Sequence, residues 1–180
     1  MRILQSFFGK DGSLIIKQEG ITVAMRTKYE VECFGPDGVL KWKDGFENLV
    51  VTAGLNKILD AAFKTGLAAP AWYVGLKDTG TPDAADTMAS HASWAWIDNY
   101  TGDRQAFTPG TISGGSVSNS ASKAVFPITG DDTIYGCGLC DSATGDTGVL
   151  YGAGDFTAPR SVLNGDTLNV QVTLTATAAV

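Results

Sequence analysis

The sequence predicts an all-β protein: an antiparallel β-sandwich of jelly-roll character with one short α-helix at about residues 53–64. Three observations carry this. Period-two hydrophobic alternation recurs in short segments, Gly and Asp punctuate the gaps between them, and one segment alone switches to helical spacing. With 180 residues, 44% hydrophobic and 18% charged, the chain is long enough for one domain with a real core, without disulfides or a structural metal.

The elements follow in chain order. Phe8-Gly9-Lys10-Asp11-Gly12-Ser13-Leu14 aligns with Phe34-Gly35-Pro36-Asp37-Gly38-Val39-Leu40 at a constant offset of 26 residues, and each copy reads as a hairpin turn followed by a strand. Either such turns recur by chance, or an N-terminal hairpin or arm, residues 1–24, precedes a core domain of residues 25–180. Strands are expected at 21–26, 28–34, 39–43, 72–76, 94–98, 122–128, 133–139 and 149–156. The clearest lies at 167–176, where Leu168, Val170, Val172 and Leu174 share one face and Asn169, Gln171 and Thr173 the other. About nine strands at this spacing imply a sandwich or barrel. Between them, Leu55, Ile58, Leu59, Ala62 and Phe63 form a helical stripe, with Thr52 placed to cap its start and Gly66 just past its end. That stripe should bury against an end or face of the sandwich.

Charge divides the chain unevenly. Residues 1–60 carry eight basic and eight acidic side chains; residues 61–180 carry five and eleven, every one of the acids an Asp. The Asp residues recur beside Gly and Thr, as at Asp78-Thr79-Gly80 and Gly145-Asp146-Thr147-Gly148, which marks them as turn formers. A net charge of −6 without a Lys/Arg block argues against nucleic acid as a partner. No apolar stretch approaches the roughly 20 residues of a membrane span, and the N-terminus lacks a leader-like pattern, so the chain reads as soluble with no membrane partner.

Motifs with possible chemistry are few. Asp86, Ser90 and His91 are the residue types of a hydrolase triad, but they crowd into six positions without a nucleophile elbow and read better as a loop leading into Trp94. Cys137-Gly138-Leu139-Cys140 is a C-x-x-C without a second ligand pair; a four-ligand zinc site would need Cys33, Cys137, Cys140 and the single His91, so small buried cysteines are the plainer reading. Asp78, Asp83, Asp86, Asp98, Asp131, Asp132 and Asp141 offer carboxylates for glycosidase chemistry, yet all lie in turn-like surroundings. Asp141 to Asp146 offers oxygens to calcium but lacks the spacing of an EF-hand. No catalytic, cofactor-binding or metal residue is therefore assigned, and the chain is read as a non-enzyme. Among the aromatics, Trp94, Trp96 and the 167–176 strand are assigned to the core. The alternative makes one of Trp42, Trp72, Tyr73, Trp94 and Trp96 an exposed anchor or a sugar-stacking platform.

Several stretches resemble a family of small tailed-bacteriophage virion proteins. They are the run from Lys28 through Asp60, Trp72-Tyr-Val-Gly-Leu, Asp86-Thr-Met-Ala-Ser-His-Ala-Ser-Trp, Ser118-Asn-Ser-Ala-Ser-Lys-Ala-Val-Phe, Gly148-Val-Leu-Tyr-Gly-Ala-Gly-Asp-Phe and Asn164 through Thr175. The resemblance covers nearly everything after Thr27. It implies a structural protein on the outer surface of the phage capsid, made in the host cytoplasm: a decoration or cement protein, a homotrimer whose partner is the major capsid protein. The competing reading is a tail- or fibre-associated module that binds host glycans; a glycan hydrolase comes third.

Overall fold

The computed structural model describes residues 5–8, 14–18, 21–66 and 69–179, with side chains described over 23–66 and 69–178. In chain order the elements are β1 (Gln5–Phe8), β2 (Leu14–Gln18), β3 (Ile21–Phe34), β4 (Leu40–Glu47), β5 (Leu49–Val50), α1 (Thr52–Phe63), β6 (Tyr73–Lys77), β7 (Trp96–Ile97), β8 (Gln105–Ala106), β9 (Ser116–Ser118), β10 (Ala124–Pro127), β11 (Asp132–Cys140), β12 (Leu150–Val162) and β13 (Thr167–Ala179). They form two antiparallel sheets. One runs β1-β2-β3-β13-β10, with β4 also on β3 and β9 also on β13; the other runs β5-β12-β11-β6-β7, with β8 also on β6.

The spine of the first sheet is the β3–β13 ribbon, paired from Phe34↔Thr167 to Thr22↔Ala179. The two strands expected at 21–26 and 28–34 are one, because the alternation passes through Thr27 unbroken. Thr27 is 1% exposed and donates to the hydroxyl of Tyr151 across the core at 3.4 Å. Along the other edge of β3, β2 and β4 lie end to end, on Ile21–Met25 and Lys28–Phe34 respectively. Both copies of the sequence repeat pair in the same register, Phe8↔Leu14 and Phe34↔Leu40. In the second copy Gly38 has φ +75° and the Asp37 carboxylate accepts from the Val39 N–H, the chemistry of an Asp-Gly turn. The turn of the first copy lies outside the described residues.

The core lies between the sheets. Tyr29, Val31 and Cys33 from β3 and Leu168, Val170 and Val172 from β13 meet Val74 and Leu76 from β6, with Ile134, Cys137 and Leu139 from β11, all fully buried. Each such aliphatic side chain contributes about 1.5–3 kcal/mol on burial. Tyr29 stacks on Phe46, whose ring also meets Phe156 edge-on. Trp42, half-buried on β4, donates to the carbonyl of Ser161 on β12 and links the two sheets at one side.

The helix departs from expectation at its start and in its stripe. Its N-cap is Val51, not Thr52, and no side chain caps it. The chain leaves β5 straight into the helix, with the Val51 N–H held by Tyr151 O and the Thr52 N–H by Ala84 O. Gly54 sits flush on β12, where a Cβ would collide with the Tyr151 carbonyl. Leu55 is buried and Ile58 partly so, but Leu59 is 42% and Phe63 82% exposed, with Ala62 also outside. Only the first turns reach the sandwich. Gly66, φ +81°, follows the helix end as expected.

Candidate functional site

The second sheet has two buried faces. Its inner face meets the first sheet; its outer face carries a smaller cluster of Val51, Met88, Trp94, Cys140, Leu150 and Ala153. Residues 78–95 cover this face. Asp86, 8% exposed, accepts from Trp94 Nε1 at 2.8 Å and from the Asp83 N–H at 2.9 Å. His91 stacks on Trp94 with ring centroids 4.2 Å apart, its Nδ1 2.8 Å from Trp94 O. Ser90 bridges to Thr87 through backbone hydrogen bonds. The three triad-type residues thus fasten the loop onto Trp94. The strand expected at 94–98 shrinks to β7 because Trp94 belongs to this loop, its N–H bonded to His91 O.

Lys77 locks the same layer. Its side chain is fully buried, and its three N–H donors meet three acceptors: Asp155 Oδ1 at 2.6 Å, Asp78 O at 2.9 Å and Gly80 O in a close contact. Three donors matched to three acceptors suit a charged ammonium, which needs such compensation when buried.

Trp96 lies over two glycines of the outer face. A Cβ on Gly75 or Gly138 would come within 2.5 or 2.6 Å of its ring. Arg104 packs beside Gly75 and against the same indole, its guanidinium 4.5 Å from the ring centroid, within cation–π range. The same guanidinium donates to Ser142 O at 3.2 Å and Gly145 O at 2.9 Å, and lies 3.9 Å from Asp146. It therefore ties the 98–104 loop to the 141–149 loop.

Between these loops is a hollow of about 180 Å³, lined by Trp96, Asp98, Tyr100, Asp103, Arg104 and Thr144 among others. Its floor is aromatic and cationic, and its rim acidic: Asp98 and Asp103 are exposed, and Asp146 is 70% exposed beside it. Burial pushes the Tyr100 hydroxyl up to about 12 against the opposing pull of Arg104, so Tyr100 stays neutral in the physiological range. Among the described residues, Trp96 Nε1 and Arg104 Nε are buried without a hydrogen-bond partner.

The other sequence candidates lie elsewhere. Cys33 and Cys137 point into the main core and Cys140 into the outer cluster; all three are free and buried. Burial raises the thiol of Cys33 to about 11, a structural rather than reactive setting. Among the described residues, no three His, Cys, Asp or Glu side chains come together as a metal cluster would require. Asp78, Asp83, Asp131, Asp132 and Asp141 each accept a backbone N–H of their own or a neighbouring turn. Trp42, Trp72 and Trp96 are half-buried and Trp94 buried, so no tryptophan stands out as an exposed platform. Sequence reasoning missed Arg104 and Lys77. The signal available was composition: they are two of only five basic residues after residue 60.

A family model described as Gp80, Podophage GP4 fiber I protein gp80, matches residues 50–177, more than two thirds of the chain. The matched span takes in α1, β6 to β12, most of β13, and both loops of the hollow. No curated protein matches the chain.

Proposed function

The chain belongs to the podophage GP4 fiber I protein gp80 family and is a phage virion structural protein; we propose that it serves in the fibre apparatus, where it contacts glycans of the host surface. The family match carries this reading. It supports a fibre-associated role ahead of capsid decoration, in which a homotrimer would seat on the major capsid protein; that second role draws only on sequence resemblance. The hollow between the 98–104 and 141–149 loops is the contact point. It is a concave surface ringed by the exposed carboxylates of Asp98, Asp103 and Asp146, which accept hydrogen bonds from the hydroxyls of a hydroxyl-rich ligand. The role is one of binding, without turnover.

The test is competition. Purified chain in excess should bind host cells and slow adsorption of virions. Failure to bind cells, together with undiminished adsorption, would overturn the host-contact role.

The N-terminal residues 1–24 enter the proposal as an arm. β1 and β2 prolong the first sheet along the edge of β3 beyond β4, and β1 offers its outer edge for pairing with another virion chain.

A further inference from the structure

Independently of the glycan contact, we infer that the projecting end of the first sheet packs face to face against the same end of a second copy of this chain, the two copies completing a sandwich that neither closes alone. Burial along the strands shows where the cover stops. β13 turns Leu168, Val170 and Val172 into the core, each 0% exposed, and keeps the same face for Leu174, half-buried, then Ala176 and Ala178, both exposed. β3 behaves alike: Tyr29 and Val31 are fully buried, while Met25 and Val23 on the same face are only half-buried. The ribbon nevertheless continues, paired as far as Thr22↔Ala179. β1 and β2 widen this overhang, and their principal contacts run to each other and to β3.

The overhang carries an apolar face. Directly paired residues of an antiparallel ladder share a face, so the register sets Leu14 and Ile16 beside Met25 and Val23, and Phe8 beside Leu14. Across β1, β2, residues 21–26 of β3 and residues 174–179 of β13, no Asp, Glu, Lys or Arg falls on this face; the charges, Lys17 and Arg26, fall on the reverse. The sequence repeat shows how an equivalent strand is covered. At the offset of 26 residues Trp42 of β4 corresponds to Ile16 of β2. Trp42 meets the Phe156 ring edge-on and donates to Ser161 O, both on β12. Among the described residues, β12 has no counterpart over β2.

A second copy fits the vacancy by charge and by area. Each chain carries −6 overall, yet this face is uncharged and meets its own duplicate without like-charge repulsion. With β9 joining at Val117↔Leu174, the face spans five strands at ~4.8 Å and about five residues at ~3.3 Å, roughly 400 Å² in plan before side-chain relief is counted. Two such faces, stacked at the usual ~10 Å between sheets, bring the pair to about the 1,000 Å² at which specific interfaces begin. A two-fold axis closes the contact, because one patch serves both copies.

The experiment is sedimentation velocity of the full chain at roughly 10–100 µM, the range suited to an interface of this size. It is run beside Ala176→Glu and Ala178→Glu, which place a charge on the face, and Thr177→Glu, which places one on the reverse of the same strand. All three positions are exposed, and thermal unfolding of each variant establishes that it is folded. Expected is a species of twice 18.8 kDa for the unaltered chain and for Thr177→Glu, with association at least tenfold weaker in both alanine variants. A chain that stays single throughout would overturn the inference and leave the face to a different virion protein. A dimer indifferent to Ala176→Glu and Ala178→Glu, or one lost equally in Thr177→Glu, would overturn the face as the contact. A trimer would overturn the two-fold pairing. None of these outcomes bears on glycan contact, which is read on host cells.

Discussion

Asn119 allows the sharpest test of how the first sheet is held. Along the outer edge of β13, β10 pairs with Thr167–Val170 and β9 with Thr173–Thr175, leaving a gap between them. Asn119 fills it with its side chain: Nδ2 donates to Val170 O at 3.2 Å and Oδ1 accepts from the Val172 N–H at 2.7 Å. The residue is 0% exposed, so its amide stands in for a missing strand residue where water cannot. Asn119→Ala strands one buried carbonyl and one buried N–H. At about 1–3 kcal/mol for each unsatisfied group, and with some relief from relaxation, the expected loss is about 3 kcal/mol. Total stability of a single domain is about 5–15 kcal/mol, so the loss is large. It corresponds to a fall of roughly 6–12 °C in Tm for a chain of this size. Urea denaturation followed by far-UV circular dichroism should show a lower midpoint at unchanged m-value. Asn119→Asp should be worse at pH 7, where the carboxylate faces Val170 O, and should recover in part on acidification. A stability change under about 0.5 kcal/mol in the Ala variant would refute the bridging role.

Four further outcomes follow from the same structure. Burial pushes the Asp166 carboxyl up, but donation from Lys41 at 2.6 Å and from the Leu163 N–H outweighs it, so its folded value is lowered. Its stabilisation is present above the unfolded value of about 3.9 and lost as pH falls through the lower folded value; Asp166→Asn should flatten that part of the acid denaturation curve, and an unchanged acid limb would contradict it. Tyr29, Tyr100 and Tyr151 are held neutral chiefly by burial, Tyr100 up to about 12, so stability present below about pH 10 should decline as pH rises through their folded values, read as coincident loss of ellipticity and growth of tyrosinate absorbance. The three cysteines should resist a thiol reagent in the native protein and react fully in denaturant; rapid native labelling would contradict their burial. Deleting residues 1–24 should leave cooperative unfolding in place while lowering incorporation into virions, and full incorporation of the truncated chain would refute the arm.

Much of the sandwich was legible because its long strands alternate cleanly. β13 shows its buried face in every second residue, and β11 and β12 begin within two residues of their expected starts. The two- and three-residue strands β5, β8 and β9 left no trace, since a period cannot show over so short a span; their pairing is imposed by neighbours. The helix was legible in position but not in burial. Spacing reveals that Leu55, Ile58, Leu59 and Phe63 share a stripe, yet where the sheet beneath it ends is a property of the assembled fold. The hollow was the least legible. Trp96 comes from β7, Arg104 from the loop before β8, and Ser142 and Gly145 from the β11–β12 connection, and their meeting depends on glycine at 75 and 138 leaving room for one indole ring.

The central claim, service in the fibre apparatus, is tested most directly by the copy number of this chain in purified virions, measured against the major capsid protein by quantitative mass spectrometry. A fibre component should be present at a small, fixed number of copies per particle and should co-purify with tails when heads are removed. Near-stoichiometric copies that remain with tail-less heads would contradict the account and return the chain to the capsid surface.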